Sequence, residues 1–356
     1  MNKLEKIRNI LTERKIDALL ISDELNQHYV TDFAFSDGLV LITHNHAELI
    51  TDFRYLEMAE NRANKLFSVS APENKIEFIR GIIKADEVKS IGFEGNTLPY
   101  GTYFRYCEMF PEIEFFNVGG VIEELRQIKS TDEIRKIQLA QDITDATFSH
   151  LIRMITPAMT EIEVAAELEY FMKRAGAQGV AFDTIAVSGD ASALPHGTPS
   201  NQKLKCGFLT LDFGAKLDGY CSDMTRTIVI GKADEDMKKL YNTVLTAQKL
   251  ALDYISVGAD RAGADKIARD YIDSFPEFKG TFGHSLGHSL GLLVHESPSL
   301  SRRSNGQVMR LGEIYTVEPG IYIYGKYGCR IEDMVAITGE KLYNFTHSTK
   351  ELIEIY

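Results

Sequence analysis

The chain has 356 residues, a formal net charge of −12 at pH 7, 44% hydrophobic residues and 25% charged residues. These proportions are ordinary for a globular protein, and the length exceeds what one core usually serves, so two domains are expected. The negative charge argues against nucleic acid or an anionic membrane as partner, and no apolar run reaches the ~18–20 residues that span a bilayer.

The opening segment, MNKLEKIRNILTERKIDALLIS, does not read as a signal peptide. Charges interrupt it, and Leu4, Ile7, Ile10 and Leu11 recur at helical spacing. Through residue 120, helical patterns at about 2–15, 53–65 and 74–85 alternate with strand-like apolar runs at 17–22, 39–42, 47–51 and 90–93. This is an α/β layer with its own core and no catalytic constellation. Near 121–133 the character changes. Ser130 with Glu133, and Thr160 with Glu163, form capping boxes that start two helices. The first should end before Pro157 and the second at Gly176. Strands and glycine turns dominate 180–231, helices return at about 234–256 and 260–274, and strands and turns resume from 281. Cys107, Cys206, Cys221 and Cys329 form no CxxC pair and read as free buried thiols in a reduced cytoplasm.

Five residues interrupt the apolar pattern of the second half. They are Asp212 in LTLDFGA, Asp223 in YCSDMTRT, His288 in GHSLGHSLG, Glu318 in YTVEPGIY and Glu332 in CRIEDMVA. Asp218-Gly219 supplies a hairpin turn that brings Asp212 near Asp223, and a GKYG turn joins two strands carrying the two glutamates. One buried carboxylate is costly, and four held together are untenable without cations. Two divalent ions neutralise four carboxylates, and a carboxylate-rich set with one imidazole suits Mn, Co or Zn pairs better than a structural zinc site. Such a pair activates water, so metal-assisted hydrolysis is expected.

An ordinary alternative exists for each residue. An acid beside glycine usually belongs to an exposed turn, but apolar LTL and TIVI flank these aspartates. A buried salt bridge to Arg330 or Arg226 explains one glutamate, not two glutamates with two aspartates. His284, His288 and His295 fall within twelve residues of glycine-rich apolar sequence. The HExxH zinc site is excluded there, because the glutamate is missing and glycines break the helix. His196 in ALPHGTPS is a weaker signal, while His28, His44, His46, His150 and His347 read as structural or exposed.

The segments LPHG, LDFGA, YCSDMTRT, GHSLGHSLGLLVHE, TVEPGIY and RIED, in this order, resemble the pita-bread metallopeptidases, specifically the Xaa-Pro peptidases (prolidase and aminopeptidase P). The resemblance covers the whole chain. It implies an α+β protein, with a creatinase-like α/β domain over 1–125 and a pita-bread catalytic domain over 130–356. It implies that Asp212 chelates one metal, Asp223 and Glu332 bridge two, and His288 and Glu318 bind the second. His196, His284 and His295 would support the site or contact substrate, Arg330 would bind substrate or orient the metal site, and Glu318 would also shuttle a proton. Manganese is the favoured ion, with cobalt or zinc as alternatives. The substrates implied are proline-containing dipeptides or short peptides, cut before proline through a metal-bridging hydroxide, by a cytoplasmic homodimer.

The chain departs from the pattern at Ser285 and Ser289, where glycine is common, at Cys329, where valine is, and at Asp32, where glycine is usual. None removes a ligand. Cys221 and Cys329, beside ligands, suggest a site sensitive to oxidation and mercurials. The segment TDFRY leans toward aminopeptidase P. Methionine-type aminopeptidases share the five ligands without the N-terminal domain. Creatinase-type enzymes and non-catalytic peptidase-like binding modules lose ligands that this chain keeps.

Overall fold

A computed structural model describes residues 1–339 and 342–356. They form two compact units, Met1–Arg126 and Gln127–Tyr356.

The first unit is built on a six-stranded mixed sheet. Its order is Ser68–Ser70, Ala47–Ile50, Leu39–Thr43, Ala18–Ile21, Ser90–Phe93 and Glu114–Asn117. The helix Lys3–Arg14 starts from an Asn2–Glu5 capping box and buries Leu4, Ile7 and Leu11. Several elements here escape a hydrophobic-pattern reading. Glu24–Thr31 buries polar Asn26 and Gln27, whose amides bind Glu94 and the carbonyls of Ile21 and Gly38. Tyr100–Met109 buries nothing fully, Ser68–Ser70 has only three residues, and Glu114–Asn117 is a largely exposed edge strand.

The second unit holds two helix pairs, each backing strands. Thr131–Met154 begins at the Ser130–Glu133 capping box and presents Ile137, Ala140, Thr144, Thr147 and Leu151 as one stripe. Glu161–Arg174, started by the Thr160–Glu163 box, joins it over a core containing Leu209, Leu211, Phe213, Ile228 and Ile230. Glu235–Tyr254 presents Leu240, Val244, Ala247 and Ala251 and pairs with Arg261–Asp273. Their core includes Phe208, Val229, Val317, Ile321, Cys329 and Ile331. The antiparallel strands Gly207–Phe213 and Met224–Ile230 therefore face a core on each side. That is why both read as continuous apolar runs and not as alternating ones. No described helix is long and apolar enough to cross a membrane.

The Asp218-Gly219 turn forms as expected, with positive φ at both residues (48° and 80°), joining Ala215–Leu217 to Tyr220–Cys221. The glutamate hairpin differs from expectation. Each of its two strands is broken, into Ile314–Val317 and Gly320–Ile323 on one side and Tyr327–Arg330 and Asp333–Ile337 on the other. Glu318 and Glu332 occupy the breaks, not the strands. Their amides leave the ladder and donate to Leu286 O at 2.9 Å and Thr225 O at 3.1 Å, and Pro319 has no N–H to continue the pairing.

The cysteines are only partly as expected. Cys221 and Cys329 are buried, but Cys206 is exposed and Cys107 half-buried.

Candidate metal centre

A cleft of about 700 Å³ is lined by all five expected ligands and by His196, His284, His295 and Arg330. Asp212 comes from Gly207–Phe213, opposite Thr225. Asp223 follows Tyr220–Cys221 at the entry to Met224–Ile230, and His288 comes from Gly287–Ser289. Donor atoms of Asp223, His288 and Glu332 lie within 4.8 Å of one another. His288 Nε2 stands 3.4 Å from Glu318 Oε1 and 3.7 Å from Asp223 Oδ2.

The electrostatics of this cluster are strained without a cation. Burial first, then the carboxylates of Glu332, Asp212 and Glu318, push Asp223 well above the usual carboxylate range. Burial and the charges of Glu318 and Asp212 do the same to Glu332. Burial pushes Glu318 up to about 7, against the opposing pull of Arg330. Burial, aided by His295, pushes His288 down to about 4, so its imidazole is neutral near pH 7. His288 Nδ1 lies 3.1 Å from Ser289 O, a contact that requires the proton on Nδ1 and leaves the Nε2 lone pair facing the acids. Among the described residues, Asp212 Oδ1 is buried without a hydrogen-bond partner. An orphaned carboxylate oxygen, repelling carboxylates and an unprotonated imidazole nitrogen together fit divalent cations.

Arg330 ties the cluster together. Its guanidinium donates to Asp212 Oδ2 (2.6 Å), Thr225 Oγ1 (3.0 Å), Tyr322 OH (2.8 Å) and Pro195 O (3.2 Å). Burial works against its charge, but Tyr322 and the acids Asp212, Glu318 and Glu332 raise its pKa well above the usual value. Thr225 Oγ1 in turn donates to Glu332 Oε2 at 2.7 Å. The ordinary salt-bridge alternative resolves accordingly. Arg330 pairs with an aspartate, and Arg226 pairs with Asp333 at 2.8 Å, so neither glutamate has its own arginine partner.

The four accessory residues are not equivalent. His284 Nδ1 lies 2.8 Å from Ser285 O and Nε2 lies 3.0 Å from Tyr322 OH. The first contact needs a proton on Nδ1, so Nε2 accepts from Tyr322, and both ring nitrogens are engaged. Burial, then Arg330, pushes His284 down to about 4. The His295 ring lies beside His288, tilted by 48° with centroids 4.1 Å apart, and its pKa is lowered by burial and by His196. His196 lines the open side of the cleft. Tyr322 and Thr225 were not singled out from sequence, since both look like ordinary strand residues. The register of the GKYG hairpin was the available signal. Gly320 pairs with Arg330 and Tyr322 with Gly328, which sets Tyr322 on the face of Arg330.

Comparison with known proteins assigns the chain. Residues 135–339 match the model of metallopeptidase family M24, and residues 3–128 match the creatinase/prolidase N-terminal domain. The chain belongs to metallopeptidase family M24. Membership of M24 implies divalent metal ions. An Xaa-Pro dipeptidase of Pyrococcus horikoshii is 39% identical over 354 residues, covering 99% of this chain and 98% of the relative. The structure of an Xaa-Pro dipeptidase from Bacillus anthracis superimposes with TM-score 0.94 at 41% identity, covering 99% of both chains. That of an X-Pro aminopeptidase from Thermotoga maritima gives 0.93 at 34% identity, covering 99% of this chain and 100% of the other.

Proposed function

We propose that this chain is a dinuclear metallopeptidase that hydrolyses the bond before proline, in Xaa-Pro dipeptides or at the N-terminus of Xaa-Pro peptides. The observation that carries the reading is the convergence of Asp212, Asp223, His288, Glu318 and Glu332 with Arg330 on one cleft. The P. horikoshii and B. anthracis dipeptidases and the T. maritima aminopeptidase, similar over nearly the full length, support the substrate class. Asp212 and Asp223 would hold one ion, His288 and Glu318 the second, and Asp223 and Glu332 would serve both. Manganese is the favoured ion. Bound there, the ions supply a lowered water pKa and polarisation of the scissile carbonyl.

The chain's own residues do the rest. His295 and His196, which line the cleft, donate to the oxygen on which charge develops. Glu318 Oε1, beside His288, carries the proton to the leaving proline nitrogen. His284 is committed through both nitrogens, so it orients Tyr322 and Arg330 and does not contact substrate. Arg330 fixes Asp212 and Thr225 while its charge balances one of the four acids. An X–Pro amide lacks an N–H and has restricted torsions, so a cleft that makes no demand on that N–H accepts it where general peptidases do not.

A homodimer in the cytoplasm completes the proposal. Phe53 and Tyr100, 84% and 75% exposed on the N-terminal unit, support self-association, and sedimentation equilibrium tests it. The activity is tested with protein stripped of metal and reloaded with Mn²⁺ or Co²⁺, on Gly-Pro, Ala-Pro and Ala-Pro-Ala. Cleavage of the dipeptides alone marks a dipeptidase, and cleavage of the tripeptide marks an aminopeptidase. Failure on all three with two ions bound would refute proline specificity.

A further inference from the structure

The hairpin that carries His288 and His295 has a second face. Neighbouring residues of a strand point to opposite sides. Ser289 therefore lies behind His288, and its register partner, next to a β-bulge between His288 and Ser289, is Glu296, the residue after His295. Lys129 reaches that hidden face. Its side chain is 1% exposed, its Nζ stands 3.6 Å from Glu296 Oε2, and Glu296 is itself only 7% exposed. The same Nζ donates to Ser289 Oγ at 3.0 Å.

Both ends of this tie are anchored. The Lys129 amide donates to Gly312 O at 2.9 Å, and the next residue, Ser130, caps the helix Thr131–Met154. Glu296 Oε1 accepts the Leu293 amide at 3.1 Å, closing the turn of the hairpin. On the opposite side of the turn, the Cys221 amide donates to Gly291 O at 2.7 Å, two residues from Asp223. A buried ammonium–carboxylate pair contributes little net stability compared with apolar residues of the same volume. What it supplies is geometry: one ammonium holds the two residues flanking the bulge, each adjacent to a histidine of the cleft.

We propose that Lys129 is a positioning residue of the metal centre, setting through Ser289 and Glu296 the angle at which His288 and His295 enter the cleft. This rests on the reading of His288 as a ligand. Metal-free protein is titrated with Co²⁺, following the visible absorption bands, alongside melting curves and separate kcat and KM values for Ala-Pro. Lys129→Met alone takes the ammonium away from a buried carboxylate, so the deciding variant is Lys129→Met with Glu296→Gln, which removes both charges. The double variant is expected to melt with the wild type yet bind Co²⁺ roughly 10–100-fold more weakly. Its absorption bands should shift, and kcat at saturating Co²⁺ should fall more than KM rises. Wild-type affinity, bands and kcat in the double variant would overturn the proposal. So would loss of folding in the double variant, because the pair would then be a stability element. His288→Ala separates the two levels. If it leaves the Co²⁺ bands unchanged, the ligand assignment fails and takes this proposal with it; if it abolishes them while the double variant does not alter them, only the role of Lys129 fails.

Discussion

Replacing Gly287 with alanine tests the geometry of the site through a single methyl group. A Cβ at Gly287 would sit 1.9 Å from the Thr316 carbonyl oxygen and 2.7 Å from its carbon. An ordinary carbon–oxygen approach is about 3.3 Å, so the two backbones must part by roughly 1.4 Å. His288 follows Gly287 in its strand and Glu318 follows Thr316 in its own, and the bridge from His288 N through Thr316 Oγ1 to Glu318 Oε1 has to span the widened gap. The His288 Nε2 to Glu318 Oε1 distance, now 3.4 Å, would open to about 4.8 Å. Two atoms bound to one ion at about 2.2 Å each are at most ~4.4 Å apart, so the pair can no longer share an ion. The overpacking also costs about 1–3 kcal/mol of stability. Metal content after gel filtration should fall by at least one ion per chain, and kcat/KM for Ala-Pro with excess Mn²⁺ by about 100-fold or more. Gly283→Ala is the control, because a Cβ there meets nothing within 4 Å, and it should match the wild type. A Gly287→Ala protein with full metal content and normal turnover would refute the reasoning.

Thr225→Val keeps the shape but removes the hydroxyl between Glu332 and Arg330, at a cost of about 1–3 kcal/mol for each stranded partner. Urea unfolding and kcat/KM should both worsen, and Thr225→Ser should recover most of the loss; a serine variant no better than valine would sink the account. Stripping metal should lower the melting temperature, which should climb again with the logarithm of added Mn²⁺; a melting temperature indifferent to metal counts against the site. Contrary to the sequence expectation, Cys221 and Cys329 should resist mercurials and oxidation. Both are buried, and burial pushes their thiols up to about 11 and about 12. Peptide mapping after brief labelling should find Cys206 modified first, and early labelling of Cys221 would contradict this. At Asp17, burial opposes ionisation, but the amides of Lys89 and Ser90 and the Ser90 hydroxyl outweigh it and lower the pKa below 3.8. Its contribution is therefore full above pH 3.8 and lost as pH falls through the lower folded value. The gap in urea midpoint between wild type and Asp17→Asn should shrink from pH 5 to pH 3, and a constant gap would count against the assignment.

The five ligand candidates were legible because each violates its surroundings. A carboxylate inside an Ile/Val/Tyr run is conspicuous to anyone who asks what would neutralise it. The capping boxes and the Asp218-Gly219 turn were legible because short-range chemistry determines them. Glu318 and Glu332 were singled out but given the wrong local structure. Apolar runs flank 317–320 and 330–333 on both sides, and only the sheet crossing at Leu286 and Thr225 shows that the ladder breaks there. The helix Glu24–Thr31 was invisible for the opposite reason. Its inner face is held by Asn26 and Gln27 hydrogen bonds, which leave no hydrophobic period. Thr225, Tyr322 and Lys129 stayed hidden because their importance lies in which distant residue each touches.

Hydrogen-bond direction separates two of the four cleft histidines, His284 and His288. Arg330 has no lone pair to offer, so it must donate to Tyr322 OH. The Tyr322 proton is then free only to go to His284 Nε2, which accepts because Nδ1 holds its proton against Ser285 O. His284 can neither donate to a substrate nor bind an ion without breaking this chain. His288 follows the same rule one step over, with Nδ1 satisfied by Ser289 O and Nε2 left bare among acids. The two imidazoles share one local motif, a ring whose Nδ1 binds the next residue's carbonyl. What separates an orienting histidine from a metal-facing one is whether Nε2 meets a hydroxyl or a cluster of carboxylates. Arg330 makes that difference, because its guanidinium binds Tyr322 at one nitrogen and Asp212 at another, which a lysine's single ammonium cannot do.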